Sequence, residues 1–158
     1  MSGEIPPTYF LDSSAIAKRY IEEPGSAWVE SLCVSTIQPV IALAQFSVVE
    51  VAAAFAARRR NNQLDPAEYE EVLDEFLSDQ RRYSLVAADQ VVIDTAIQLT
   101  RRQRLRGCDA IQLASALSLH QALLKDGLPG ITFVCADDDL LIAAAGEGLA
   151  TENPNLHP

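Results

Sequence analysis

The sequence predicts an α/β protein in which helices cover both faces of a central parallel sheet. Two observations point there. Short apolar runs that read as strands are interleaved with longer helical runs. Those strand runs are apolar through their length, as strands buried on both faces are. A third observation concerns where such a sheet would work. The two best-marked strands both end in aspartate, Leu11 before Asp12 and Ala136 before Asp137. In open α/β sheets, sites lie beyond the carboxyl ends of the strands.

The elements follow in order. "PTYFLDSS" gives a buried strand over Thr8 to Leu11, ending at Asp12. "SAIAKRYIEE" is helical up to Pro24-Gly25, and "SAWVESLCV" is a second short helix. "QPVIALA" is a strand candidate, weakened by Pro39. "LAQFSVVEVAAAFAARRRNN" reads as one long helix ending at Asn61-Asn62. Asp65-Pro66 opens the amphipathic "DPAEYEEVLDEFLSDQRRY", with Asp before Pro as a start signal. "SLVAA" is a short strand candidate. "DQVVIDTAIQLTRRQRL" and "DAIQLASALSLHQALLK" are helices separated by Arg106-Gly107-Cys108. Pro129-Gly130 bounds a strand over Ile131 to Cys135, and a last helix over Asp138 to Ala145 precedes a Gly-flanked tail.

The 158 residues suggest one domain, 1–158, and 49% apolar residues suffice for one core. The opening "MSGEIPPTYF" lacks the basic start and apolar stretch of a signal peptide. No apolar run approaches the ~20 residues of a membrane helix. The expectation is a cytoplasmic protein without membrane contact. Cys33, Cys108 and Cys135 show no paired spacing and read as ordinary thiols. His120 and His157 are too scattered for a histidine metal cluster. The net charge of −10 argues against attachment to nucleic acid by overall charge, although not against a local site. The bases are clumped at Arg58–Arg60, Arg81–Arg82 and Arg101–Arg106. Helix C-termini account for such clumps individually, since cations offset the dipole there.

The acids are less easily dismissed. Asp12, Asp109 and Asp137 each stand at a strand-to-helix or loop-to-helix junction, where a capping role is sufficient for any one alone. Asp138 and Asp139 can fill a first helical turn. Glu50 is harder to explain. Its segment, "AQFSVVEVAAAFAA", is apolar nearly all round, which predicts a mostly buried helix. A buried carboxylate is costly unless paired or metal-bound, and no Lys or Arg lies within four residues of it. If the four acids converge, their repulsion raises their pKa values, and a divalent cation reverses the penalty. Oxygen ligands alone suit Mg²⁺ or Mn²⁺, and such a site points to phosphoryl chemistry. No Walker loop, dinucleotide-binding glycine motif or G-x-S-x-G elbow competes.

Four blocks, "YFLDSSAIAKRYIEEPGS", "FSVVEVAAAFAARR", "LRGCDAIQLASALSL" and "FVCADDDLLIAAAGEGLATENP", resemble the motifs of PIN-domain ribonucleases, in particular the VapC-type toxins of toxin–antitoxin pairs. They occur in family order and span almost the whole chain. The resemblance implies a three-layer α/β/α fold with about five parallel strands. It implies Asp12, Glu50, Asp109 and Asp137 as the catalytic acids and Mg²⁺ or Mn²⁺ ligands, with Asp139 as an extra member. Ser14 matches the small polar residue that supports the first acid from outside the coordination sphere. Cys135 stands where the family usually has Thr or Ser, and Gln112 where many relatives carry His.

The activity implied is metal-assisted hydrolysis of RNA, leaving 5′-phosphate and 3′-hydroxyl ends. The partners implied are RNA, a VapB-like antitoxin that covers the acidic groove, and a second copy in a homodimer. Arg58, Arg59 and Arg102 are the candidates for phosphate contacts. Three other readings remain open on the sequence. One is a related nuclease acting on other nucleic acid; the second is a non-catalytic domain whose acidic groove receives only a protein partner; the third is a plain α/β domain with solvated acids.

Overall fold

Along β1 (Thr8–Leu11) successive side chains point to opposite faces of the sheet. Both faces are covered, and Phe10 and Leu11 are each fully buried. The computed structural model describes residues 3–158. Part of the signal-peptide expectation falls on Met1 and Ser2, which lie outside the described residues.

The remaining elements are α1 (Ser13–Ala17), α2 (Ser26–Cys33), β2 (Val40–Ala44), α3 (Ser47–Arg60), α4 (Pro66–Asp79), β3 (Ser84–Val86), α5 (Gln90–Arg102), α6 (Gly107–Lys125), β4 (Ile131–Val134), α7 (Asp138–Gly146) and β5 (Ala150–Glu152). The five strands form one parallel sheet in the order β3-β2-β1-β4-β5. Phe10 lies opposite Ala42 on one side and Phe133 on the other, and Leu11 lies opposite Val134. The chain first builds outward from β1 to β3, then returns to lay β4 on the other side of β1. That reversal puts the topological switch point between β1 and β4, whose C-terminal ends carry Asp12 and Asp137.

Two cores sandwich the sheet. Phe10, Ala42, Ala44 and Phe133 pack with α5, α6 and α7, through Leu99, Leu113, Leu140 and their neighbours. Leu11, Ile41, Leu43 and Val134 pack with α1 to α4, through Ile16, Val29, Phe55 and Phe76. Each fully buried Leu or Phe contributes about 1.5–3 kcal/mol. The predicted three-layer α/β/α architecture is therefore the observed one. Among the described residues no helix is long and apolar enough to cross a membrane.

Several boundaries depart from the sequence reading. The first helix ends at Ala17, because Lys18, Arg19 and Tyr20 switch to bonds three residues back and the chain turns. The long third helix starts at Ser47; "LA" before it is the end of β2 and Gln45-Phe46 a turn. The tail contributes a fifth strand, β5, whose three residues carry too little apolar character to register as a strand. At Gly25 the backbone is left-handed (φ 89°), and an added Cβ would fall 2.4 Å from the Pro154 carbonyl oxygen, so only glycine fits.

Candidate active site

Asp12 follows the last residue of β1 and caps α1. Its Oδ1 accepts from the Ala15 N–H (2.9 Å) and the Ser14 hydroxyl (2.7 Å), and its Oδ2 accepts from the Cys135 thiol (3.1 Å). It is 5% exposed. Burial pushes its pKa up to about 6; the three hydrogen bonds oppose that shift, and the charge of Asp109 adds to it. Asp12 therefore is the N-cap of α1 that its position allowed.

Asp137 is exposed at the far side of the β1/β4 gap, where its Oδ1 caps α7 through the Leu140 N–H (2.9 Å). Its own N–H donates to Cys135 Sγ (3.2 Å). Cys135 therefore links the two strand-end acids. Its burial, and then the neighbouring Asp12 charge, push the thiol pKa far above the ordinary range, so it remains a proton donor.

Glu50 lies in the first turn of α3, where negative charge faces the positive end of the helix. The sequence predicted a helix buried nearly all round. Instead α3 buries one stripe, Ser47, Val51 and Phe55, spaced four apart, and several of its alanines face outward. Alanine counts as apolar in a pattern without requiring burial. Glu50 is half-buried, and its Oε1 accepts from Ser13 Oγ and from Gln112 Nε2, both at 3.1 Å.

Asp109 sits in the first turn of α6, which begins at Gly107, two residues earlier than the sequence suggested. It is thus not the cap; the cap position is Arg106, which makes no side-chain capping bond. The carboxylate is half-buried, and its pKa is raised by burial first and then by the charges of Asp137 and Glu50, with Arg106 opposing. The three helix-start carboxylates thus feel one another's charge. Glu50, Asp109, Asp137 and Asp139 line a cleft of about 810 Å³; Asp12 is buried and is not among the residues lining it.

The donor set is all carboxylate, which fits a hard divalent cation and not zinc or copper. Among the described residues no three His, Cys, Asp or Glu side chains are drawn close enough to form a ready cage. The acids ring the cleft instead.

The sequence reading missed Ser13 and Ser47, and it placed Gln112 at a position not needed for the metal. Gln112, 2% exposed, donates to Ser47 Oγ (2.7 Å) as well as to Glu50, while its own Oε1 has no partner. Ser13, Ser47 and Gln112 come from three helices, and no local pattern announces their meeting. The predicted arginines lie differently from one another. Arg58 is ion-paired with Glu23, Arg59 lies over the Tyr69 ring at 5.4 Å, and Arg102 makes a two-pronged contact to Glu147 (2.8 and 3.1 Å). Arg104 and Arg106, from the same clump as Arg102, line the acidic cleft. Their place in the α5–α6 loop, rather than on a helix, is the signal that could have singled them out.

No family model matches the sequence. Two ribonucleases of Mycobacterium tuberculosis, VapC45 and VapC49, are each 31% identical over 158 residues, covering 96% of this chain and 99% of theirs. The fold is shared with solved structures at low identity. The structure of FitAB bound to an IR36 DNA fragment has a TM-score of 0.62 at 18% identity, covering 92% of this chain and 94% of that one. PAE2754 from Pyrobaculum aerophilum has a TM-score of 0.62 at 18% identity, covering 99% and 90%. VapBC-5 of Mycobacterium tuberculosis, a toxin–antitoxin system, has a TM-score of 0.56 at 18% identity, covering 94% and 98%. With near-complete mutual coverage by its ribonuclease relatives and the same sheet and helix layers as these structures, this chain belongs to the VapC family of PIN-domain ribonucleases.

Proposed function

We propose that the protein is a metal-dependent endoribonuclease, the toxin of a type II toxin–antitoxin pair, working in the cytoplasm as a homodimer. The observation that carries this reading is the gathering of Glu50, Asp109, Asp137 and Asp139 around one cleft at the switch point of the sheet. Such a density of like charge disfavours the free protein, and a site tuned for structure alone gains nothing by it.

A bound Mg²⁺ or Mn²⁺ would supply Lewis-acid polarisation of the scissile phosphate and a more acidic water. Asp12, Glu50, Asp109 and Asp137 are the residues that would hold it, with Asp139 at the rim. Ser14 and Cys135 fix the Asp12 carboxylate from behind, and Ser13 and Gln112 fix Glu50. Asp109, whose pKa is raised by burial and by the neighbouring Asp137 and Glu50 charges, is a candidate to accept the attacking water's proton. Arg104 and Arg106 offer guanidinium groups to the RNA backbone at the mouth of the cleft. The acidic cleft also suits an antitoxin segment that presents Arg or Lys to the same carboxylates.

The test is incubation of total RNA with the purified protein in Mn²⁺, in EDTA, and with an Asp12→Asn variant. Cleavage by the wild type in Mn²⁺ alone is expected. Equal behaviour of all three samples, or cleavage of DNA in place of RNA, overturns the reading.

A further inference from the structure

The ends of α5 and α7 meet through one carboxylate that lies outside the cleft lining. Glu147 is the C-cap of α7, where a negative charge faces the negative end of the helix dipole. Its side chain is nevertheless mostly buried, only 15% exposed. Two successive residues at the end of α5 compensate it. Oε1 accepts from Arg102 Nε (2.8 Å) and from Gln103 Nε2 (3.2 Å), and Oε2 accepts from Arg102 Nη2 (3.1 Å). Hydrogen bonding from Arg102 holds the carboxyl pKa below its usual range, against the effect of burial. Gly146 leaves room for this approach: a Cβ there would lie 3.2 Å from Gln103 Nε2.

The segment that follows carries the cations of the cleft. It runs from Gln103, the C-cap of α5, to the start of α6 at Gly107. Gln103 and Leu105 are half-buried, while Arg104 and Arg106 are exposed. The Leu105 N–H donates to the Gln103 carbonyl (3.1 Å), and the Leu105 side chain packs against the core. The segment is thus pinned by apolar contact at Leu105 and by Glu147 at Gln103, and its two arginines line the cleft. One helix, α7, presents Asp137 and Asp139 to the cleft at its start and grips the arginine-bearing segment at its end.

We infer that Glu147 is a positioning residue for RNA cleavage: by clamping Arg102 and Gln103 it fixes where Arg104 and Arg106 stand at the acidic cleft. The inference rests on the ribonuclease reading above. Stability alone accounts poorly for the arrangement. An ion pair exposed on its arginine side contributes little, and an acid at a helix C-terminus is unfavourable. Leu105 already anchors the segment to the core. What the clamp adds is order in the stretch between α5 and α6. Order present before RNA arrives removes the entropic cost of arranging those side chains on binding.

The test is steady-state cleavage, in Mn²⁺, of a single-stranded RNA oligonucleotide by Glu147→Ala and Glu147→Gln. Glu147→Ala is also combined with the pair Arg104→Ala and Arg106→Ala. Glu147→Ala alone should raise KM about fivefold and leave kcat within about twofold of the wild type. Glu147→Gln keeps one acceptor oxygen and should give a smaller rise. Once Arg104 and Arg106 are alanine and KM is already raised, Glu147→Ala should add nothing further, as expected of a residue that acts through them. Trypsin gives a readout that needs no catalysis: cleavage after Arg104 or Arg106 should be about fivefold faster in Glu147→Ala than in the wild type. Calorimetric Mn²⁺ affinity should not change, because the clamp holds the arginines and not the carboxylates. The positioning role is overturned if Glu147→Ala leaves KM or the trypsin rate unchanged. It is also overturned if Glu147→Ala lowers KM, which would make Arg102 an RNA contact that Glu147 restrains, or if its effect adds in full to that of the arginine substitutions. A wild type that cleaves no RNA removes the ribonuclease reading, and the positioning role with it, whatever the trypsin result.

Discussion

The Cys135 thiol donates to Asp12 Oδ2 at 3.1 Å, and the same sulfur accepts the Asp137 N–H at 3.2 Å. One buried side chain therefore ties together the ends of β1 and β4, from which two of the four acids project. The thiol offers a donor and an acceptor, as a hydroxyl would, though weaker ones.

Replacing that group separates hydrogen bonding from volume. Cys135→Ser keeps a donor and an acceptor and should retain activity within a few-fold. Cys135→Ala leaves the Asp137 N–H without its partner and removes the donor to Asp12 Oδ2, while Ser14 and Ala15 still hold Oδ1. It should lower kcat about tenfold and stability by about 1–3 kcal/mol. Kinetics and thermal unfolding of both variants check this; an alanine variant as active as the wild type would contradict it.

Gln112 bears on Glu50 in a different way. Gln112→Leu removes the donor to Glu50 and Ser47, but also removes a buried oxygen that has no partner. Metal-free stability should therefore stay within about 1 kcal/mol of the wild type. The rise in Tm on adding Mn²⁺ should shrink, and activity should fall about tenfold. Gln112→His should restore part of both. A leucine variant with an unchanged Mn²⁺ response would show that Glu50 needs no such positioning.

Asp12 makes metal-free stability depend on pH. Its folded pKa, near 6, exceeds the ordinary 3.8. Between those values the native state holds a proton that the unfolded chain has lost, so stability falls as pH rises through that window. Above pH 6 the penalty is complete, on the order of 2–3 kcal/mol. Asp12→Asn mimics the neutral form. In EDTA at pH 8 it should unfold several degrees higher than the wild type, and near pH 4 the two should coincide. Melting curves across that range test the sign; a variant less stable at pH 8 would contradict it.

How much of this was legible in the chain divides by sequence distance. The strands ending at Asp12 and Asp137 were readable because apolar runs stopped abruptly at acids. Strand order was not, since nothing local distinguishes β4 beside β1 from β4 beside β3. Glu50 stood out for a reason that the fold corrects: a run of alanines imitated a buried helix, whereas α3 buries one narrow stripe. The fifth strand was hidden by its brevity. The hydrogen bonds from Ser13 and Gln112 to Glu50 join residues 37 and 62 positions apart, beyond any periodicity. The arginines show the limit most clearly. The clump at Arg101–Arg106 divides between the end of α5, where Arg102 holds Glu147, and the following loop, where Arg104 and Arg106 reach the cleft.

The most direct measurement is calorimetric titration of the metal-free protein with Mn²⁺, alongside Asp12→Asn, Glu50→Gln, Asp109→Asn and Asp137→Asn. Saturable binding by the wild type, weakened about tenfold or more by each substitution, is the predicted result. A wild type that binds no Mn²⁺, or four variants that bind it as the wild type does, would contradict a shared carboxylate site.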